Sequence, residues 1–162
     1  MAQERAGSIL ALDVGAKRIG VAVSDELGLL ASPRTVIFRR STQSALEEIV
    51  RLVQAEQATL VVVGLPISFD GQLHSQAKSV QRFAERLRKL LDPLHVPMVY
   101  ADEMLSTVRA EERLRAAGVR VDRMCERIDA MAAAVILDEY LDQRRQAKRP
   151  ATGHENEENE VS

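Results

Sequence analysis
Aromatic residues make up only 3% of this 162-residue chain, and none of them is tryptophan. Platforms on which successive unpaired bases stack are therefore not expected. A single cysteine, Cys125, excludes an intramolecular disulfide framework and a zinc site built from thiolates. No apolar run approaches the ~20 residues of a membrane-spanning helix. The first residues, MAQERAG, lack the apolar stretch of a secretory signal, so a reducing, cytoplasmic location is expected. Charge of one sign is missing too. The formal net charge is −2, and setting aside Gln146–Ser162 leaves 20 basic against 20 acidic residues. A nucleic-acid surface would have to come from local segregation of charge.

What is present is an ordinary globular composition, 46% hydrophobic and 28% charged, at a length that suits one domain. Ile9–Leu12 and Ile19–Val23 are apolar runs joined by a short turn with Gly15, Lys17 and Gly20. They predict a buried strand and its hairpin partner. Gly28 and Pro33 punctuate the next loop, and Thr35–Phe38 predicts a third strand. Leu46, Ile49, Val50 and Val53 place a helix over Thr42–Glu56, with Ser44 and Glu47 as a capping box. Thr59–Leu65 is a further strand, and Val96–Ala101 another. Between them Ala77, Val80, Ala84, Leu87 and Leu91, widened by Phe83 and Leu90, mark the buried stripe of a helix over Ser75–Leu91. Ser106 or Thr107 can cap a helix ending near Ala117, and a last helix spans Arg123–Arg145. The order predicts an α/β fold: a mixed five-stranded sheet, three strands as an antiparallel meander and two parallel, flanked by helices. Residues 1–145 form one domain in this reading. The polar, Glu-rich segment 146–162 has no periodicity and is expected to be disordered.

Three carboxylates carry the chemistry. Asp13 follows the first buried run and Glu103 follows the last strand. Parallel strands would deliver both to one sheet edge, where functional groups of open α/β sheets collect. Asp129 lies on the last helix in phase with Ala132, Ala133, Ile136, Leu137 and Tyr140, on the core-facing stripe. A carboxylate there needs a metal or a cation such as Arg123 or Arg127 to offset its desolvation. Hard divalent cations, Mg²⁺ or Mn²⁺, take carboxylate oxygens. Two of them ~3.5–4 Å apart can activate water and stabilise the leaving oxygen of a phosphodiester. In this reading Asp13 bridges two metals, Glu103 and Asp129 complete the coordination, and Lys17 reaches a phosphate. Each acid also has a plain structural use: turn residue, solvated loop acid, ion-pair partner.

With these residues in place the sequence resembles the YqgF (RuvX-like) family of the RNase H-like superfamily. The resemblance rests on LDVGAKRIGVAVSD (12–25), VVGLP (62–66) with DG (70–71), ADEMLST (101–107) and IDAMAAAVILDEYL (128–141), in that order. It implies an RNase H-like fold and a nuclease acting on the 5′ end of pre-16S rRNA in ribosome biogenesis. It also implies kinship with Holliday junction resolvases. The family's acids map onto Asp13, Glu103 and Asp129, and its hydroxyl pair onto Ser106 and Thr107. The family pattern has Arg after Asp-Glu, whereas position 104 is Met, which removes a phosphate contact but no metal ligand. Arg109, Arg123 and Arg127 are the replacements at hand.

Substrate contacts are expected from Lys17, Arg18, Ser106, Thr107, Arg109 and Arg127, since phosphate contacts dominate nucleic-acid affinity. Arg39, Arg40, Arg113, Arg115, Arg120 and Arg123 belong to the same basic set. The expected partner is structured RNA, with branched DNA as the alternative, and the expected state a monomer or weak homodimer. A nucleic-acid-binding protein of this fold without catalysis is a further alternative. An actin-like ATPase is disfavoured, because the chain has length for only one lobe.

Overall fold
The apolar runs of the sequence pair into a single twisted layer. In this computed structural model, which describes residues 7–66, 75–102, 112, 115–116 and 121–148, the strands are β1 (Ile9–Val14), β2 (Arg18–Ser24), β3 (Ala31–Phe38), β4 (Leu60–Leu65) and β5 (Met98–Asp102). Their order in the sheet is β3-β2-β1-β4-β5. β1 and β2, and β2 and β3, are antiparallel, whereas β4 runs parallel to both β1 and β5. The predicted meander plus parallel strands is thus the observed architecture.

Several boundaries differ from expectation for identifiable reasons. β3 begins at Ala31 rather than Thr35, and Pro33 lies inside it. β3 is an edge strand of the described sheet, where a missing N–H is tolerated, and a bulge at Arg34 re-registers it against Val21 and Ala22. β5 starts at Met98, after Pro97, whose carbonyl accepts from Val61 N–H at 3.0 Å. Helix α1 (Thr42–Ala55) is capped by Ser41, not Ser44. The Ser41 hydroxyl accepts from Ser44 N–H at 3.0 Å and Ser44 Oγ from Ser41 N–H at 3.3 Å, so Ser44 is the second half of the box. Helix α2 spans Ser75–Leu91 with the expected stripe, except that Leu90 is exposed. A 3₁₀ turn, Asp92–Leu94, carries Pro93. Glu112, Arg115 and Ala116 are helical, inside the expected third helix. The last helix, α3, runs Val121–Lys148, three residues into the segment expected to be disordered.

Alternation along the strands splits the core in two. Leu10, Leu12, Ile19, Val21, Val61 and Val63 face α1 and α2, where Leu46, Ile49, Phe83 and Leu87 meet them. Ile9, Ala11, Ala22 and Val62 face α3, where Ala133, Ala134, Ile136 and Leu137 meet them. α3 lies mainly across β1, β2 and β3.

Candidate active site
Asp13 is the fifth residue of β1, pairs with Gly20 of β2, and is half-buried. Expected just past the strand, it lies inside it. Its parity with Ile9 and Ala11 puts it on the α3 face. Gly20 shares that face, and it decides how near α3 can come. A Cβ on Gly20 would run into the backbone carbonyl of Asp129 and stand 2.9 Å from the Ala130 nitrogen. Only a residue without a side chain lets the helix backbone rest on β2 here. Small residues at 132–134 on α3 complete the approach. The hairpin, the glycine and the alanines together bring Asp129 beside Asp13.

The Asp129 carboxyl is poised between opposing influences. Burial pushes its pKa above the ordinary carboxylate value, and the charge of Asp13 pushes it the same way; the Arg18 guanidinium pulls it down, with burial the largest influence. Arg18, at the start of β2, places Nε 2.9 Å from Asp129 Oδ2. The N–H is not aligned with the oxygen, so the contact is an ion pair without a well-formed hydrogen bond. Oδ2 is left buried with no hydrogen-bond partner among the described residues. Among the described side chains the partner of Asp129 is therefore Arg18, not Arg127; the side chain of Arg123 lies outside them. Arg127 is exposed on α3, two residues before Asp129 and so on another side of the helix.

Lys17 is exposed in the β1–β2 turn, one residue from Arg18. That turn is held from outside. Arg39 donates to the Gly15 carbonyl at 2.8 Å, its N–H reaches the Lys17 carbonyl at 2.9 Å, and its guanidinium lies 4.7 Å from the Phe83 ring centre. Arg39, grouped in sequence with phosphate-binding cations, is a brace for the turn. Asp25, which closes the first motif, is also structural: its carboxylate accepts from Leu29 and Leu30 N–H at 2.7 and 3.1 Å. Those backbone donors, that of Leu29 foremost, hold its pKa below the ordinary value. No sequence signal separated Arg18 from the other cations, because its role depends on where α3 crosses β2.

Glu103, Met104, Ser106, Thr107 and Arg109 lie outside the described residues, as do Asp70 and Gly71. β5, two strands from β1 and parallel to β4, ends at Asp102, next to Glu103. Its Ala101 packs in the same cluster as Ala11. Among the described residues, no three His, Cys, Asp or Glu side chains gather at metal-holding distance. Asp13 and Asp129 nonetheless fit a hard cation: the charge of Asp13 and burial both disfavour ionised Asp129, and Arg18 offsets this only in part.

A family model described as RuvX, Holliday junction resolvase, matches residues 7–143. The chain belongs to the RuvX family. A Synechococcus protein (strain JA-3-3Ab) named "Putative pre-16S rRNA nuclease" is 48% identical over 138 residues, covering 85% of each chain. A Roseiflexus protein (strain RS-1) of the same name is 42% identical over 139 residues, covering 86% of this chain and 96% of its own. Among solved structures, Thermus thermophilus RuvC in complex with a Holliday junction superposes with a TM-score of 0.56 at 13% identity, over 85% of this chain and 96% of that one. The yeast mitochondrial Holliday junction resolvase does so with 0.55 at 9%, over 88% and 81%. These likenesses show the RuvC-like, RNase H-like fold of this chain. Among the described residues, no helix is long and apolar enough to cross a membrane.

Proposed function
We propose that this RuvX-family chain is a cytoplasmic, divalent-metal-dependent nuclease that cleaves the 5′ flank of pre-16S rRNA. The observation that carries this reading is the Asp129 carboxylate set beside Asp13, its pKa raised by burial and by that neighbouring charge despite Arg18. Family membership and the names of the relatives point the same way. Asp13, Asp129 and Glu103 would hold Mg²⁺ or Mn²⁺. Such a metal, when bound, activates water and neutralises charge on the phosphodiester. The chain's own groups orient and select. Arg18 fixes Asp129 and limits its protonation. Lys17, exposed on the adjoining turn, meets the phosphate backbone, and Ser106, Thr107, Arg109 and Arg127 add contacts to it. Glycine at 20 sets the separation of the two carboxylates.

The test is cleavage of a pre-16S rRNA 5′-flank transcript in Mg²⁺ or Mn²⁺, together with Mn²⁺ titration by calorimetry. Wild type cleaves and binds Mn²⁺; Asp13→Asn, still folded, does neither. Retained cleavage by that variant would sink the assignment. The family description favours a second reading, a nuclease for four-way DNA junctions. A synthetic junction in the same assay separates the two: faster cleavage of the junction than of the transcript selects DNA.

A further inference from the structure
The strongest segregation of charge in the described molecule lies away from the carboxylates. α2 carries Lys78, Arg82, Arg86, Arg88 and Lys89 against one acid, Glu85, in a chain whose net charge is −2. Its buried stripe is spent on the α1/α2 core, so the charges are a separate face. Lys78, Arg82, Glu85 and Lys89 follow at i, i+4, i+7 and i+11, one exposed row about 16 Å long at 1.5 Å per residue. Beside the row is a groove of about 750 Å³ lined by these residues, Arg86 and Tyr100 of β5.

The one acid in the groove is already engaged. Glu85 Oε1 accepts from the Tyr100 hydroxyl at 3.2 Å and lies 3.6 Å from Arg88, whose guanidinium stands 5.9 Å from the Tyr100 ring centre. Arg88 thus offsets Glu85 locally. Among the described residues, Lys78, Arg82, Arg86 and Lys89 have no carboxylate partner, and Arg86 reaches only the Gln43 amide at 3.5 Å. Four cations along a helix-length groove suit a polyanion of regular charge spacing.

We propose that the α2–β5 groove binds the phosphate backbone of a double-helical RNA segment flanking the one that is cut. The flanking assignment follows from the layers: α2 covers the face of the sheet opposite to α3 and Asp129. This proposal rests on the nuclease reading for the word "flanking" only; binding itself is measured without cleavage. Backbone contacts of this kind are insensitive to sequence and weaken steeply with salt.

The experiment uses the full chain and a 20-base-pair RNA duplex of arbitrary sequence, with affinity measured across a salt series. Lys78→Gln/Arg82→Gln/Lys89→Gln is compared with a charge-matched control, Arg51→Gln/Arg144→Gln/Arg145→Gln, both checked for folding by thermal melt. The groove variant is expected to lose about tenfold or more in affinity at low salt. Its slope of log K against log salt should be shallower by about 2 to 3, at about 0.9 per phosphate contact as in duplex DNA. The control stays within about twofold of wild type. Binding is measured in EDTA, where metal-dependent cleavage does not occur, which keeps this outcome apart from the nuclease reading. On a cleavable transcript the groove variant raises KM and leaves kcat unchanged. Equal duplex affinity in the groove variant and the control overturns the proposal, as does a loss confined to an acidic peptide such as polyglutamate.

Discussion

On the α1/α2 face of the sheet the strands present Leu10, Leu12, Ile19 and Val63; one residue along, on the α3 face, they present Ala11, Gly20 and Ala22. The first face meets its helices through large aliphatic side chains. The second has Ile9 and Val62 against Ile136 and Leu137 of α3, but around Asp129 it meets the helix through alanines and, at Gly20, through bare backbone. Bulk on one side gives cohesion, since each fully buried aliphatic side chain contributes roughly 1.5–3 kcal/mol. Smallness on the other gives up part of that for proximity. A helix that rests on a strand with no side chain between them holds its own residues in fixed relation to that strand. That is how Asp129 comes to feel the charge of Asp13 and the guanidinium of Arg18. One side of the sheet is built to be stable, and the other to be exact in position.

Adding a single methyl on the second side tests this most sharply. In Gly20→Ala the new Cβ collides with the Asp129 carbonyl, a backbone atom that no side-chain rotation can move aside. The cost in stability is expected at the upper end of overpacking, about 3 kcal/mol. Activity per folded molecule should fall about 100-fold, the order that a misplacement of ~1 Å produces. Denaturant unfolding and cleavage assays read the two effects separately. A variant with wild-type activity would mean that close approach of α3 is not what sets the site.

How much of this was legible in the sequence follows the same division. The α1/α2 face announced itself, because periodic large residues such as Leu46, Ile49, Val80 and Leu87 are a strong local signal. The strand directions agreed with the expected meander and parallel strands, since local pairing rules constrain them tightly. Asp13 and the core-facing Asp129 could be singled out, each from its own element. Their mutual geometry could not. Arg18 was one cation among many until α3 was laid across β2, and Gly20 belonged to a hairpin until a helix backbone was found on it. The cap of α1 moved from Ser44 to Ser41 because hydroxyls three apart can each fill either half of the box. Pro33 read as a loop residue because its tolerance depends on β3 being at an edge. The cations of α2 escaped notice because an exposed charged row is the usual solvent face of any helix.

The next largest effect separates function from stability within the site. Asp13→Asn and Asp129→Asn should each lower cleavage by about 100-fold or more, near 2.7 kcal/mol of transition-state stabilisation. Asp129→Asn should at the same time raise Tm at pH 7. The carboxyl has a raised pKa in the fold, so the folded chain holds its proton to higher pH than the unfolded chain does. Stability therefore falls as pH rises from the ordinary value of 3.8 through the folded pKa, and the cost is fully present above it. Asparagine removes that cost. The gain in Tm should shrink as pH is lowered and vanish below 3.8. A drop in Tm at neutral pH would mean that the ion pair with Arg18 outweighs burial.

On the opposite face the same size of chemical change should do the reverse. Ile49→Val deletes one methylene from a fully buried position on α1. It should cost about 0.5–1.5 kcal/mol and leave kcat of the folded protein unchanged. A fall in kcat with intact folding would show that the two faces are coupled through the sheet, and would blunt the contrast drawn between them.

The smallest effect asks what Arg18 is for. Its side chain is 40% exposed, so water screens the ion pair with Asp129, and Arg18→Gln should cost only about 0.2–1 kcal/mol. Yet Arg18 is the main influence holding the Asp129 pKa down against burial and Asp13. Without it the carboxyl keeps its proton to still higher pH, and the acidic limb of the pH–rate profile should move upward. At pH values well above that limb the rate should recover, provided metal is saturating. A uniform loss of rate at every pH would instead assign Arg18 to the substrate phosphate. The pH profile thus decides between the two uses of this cation, positioning the carboxylate or gripping the backbone.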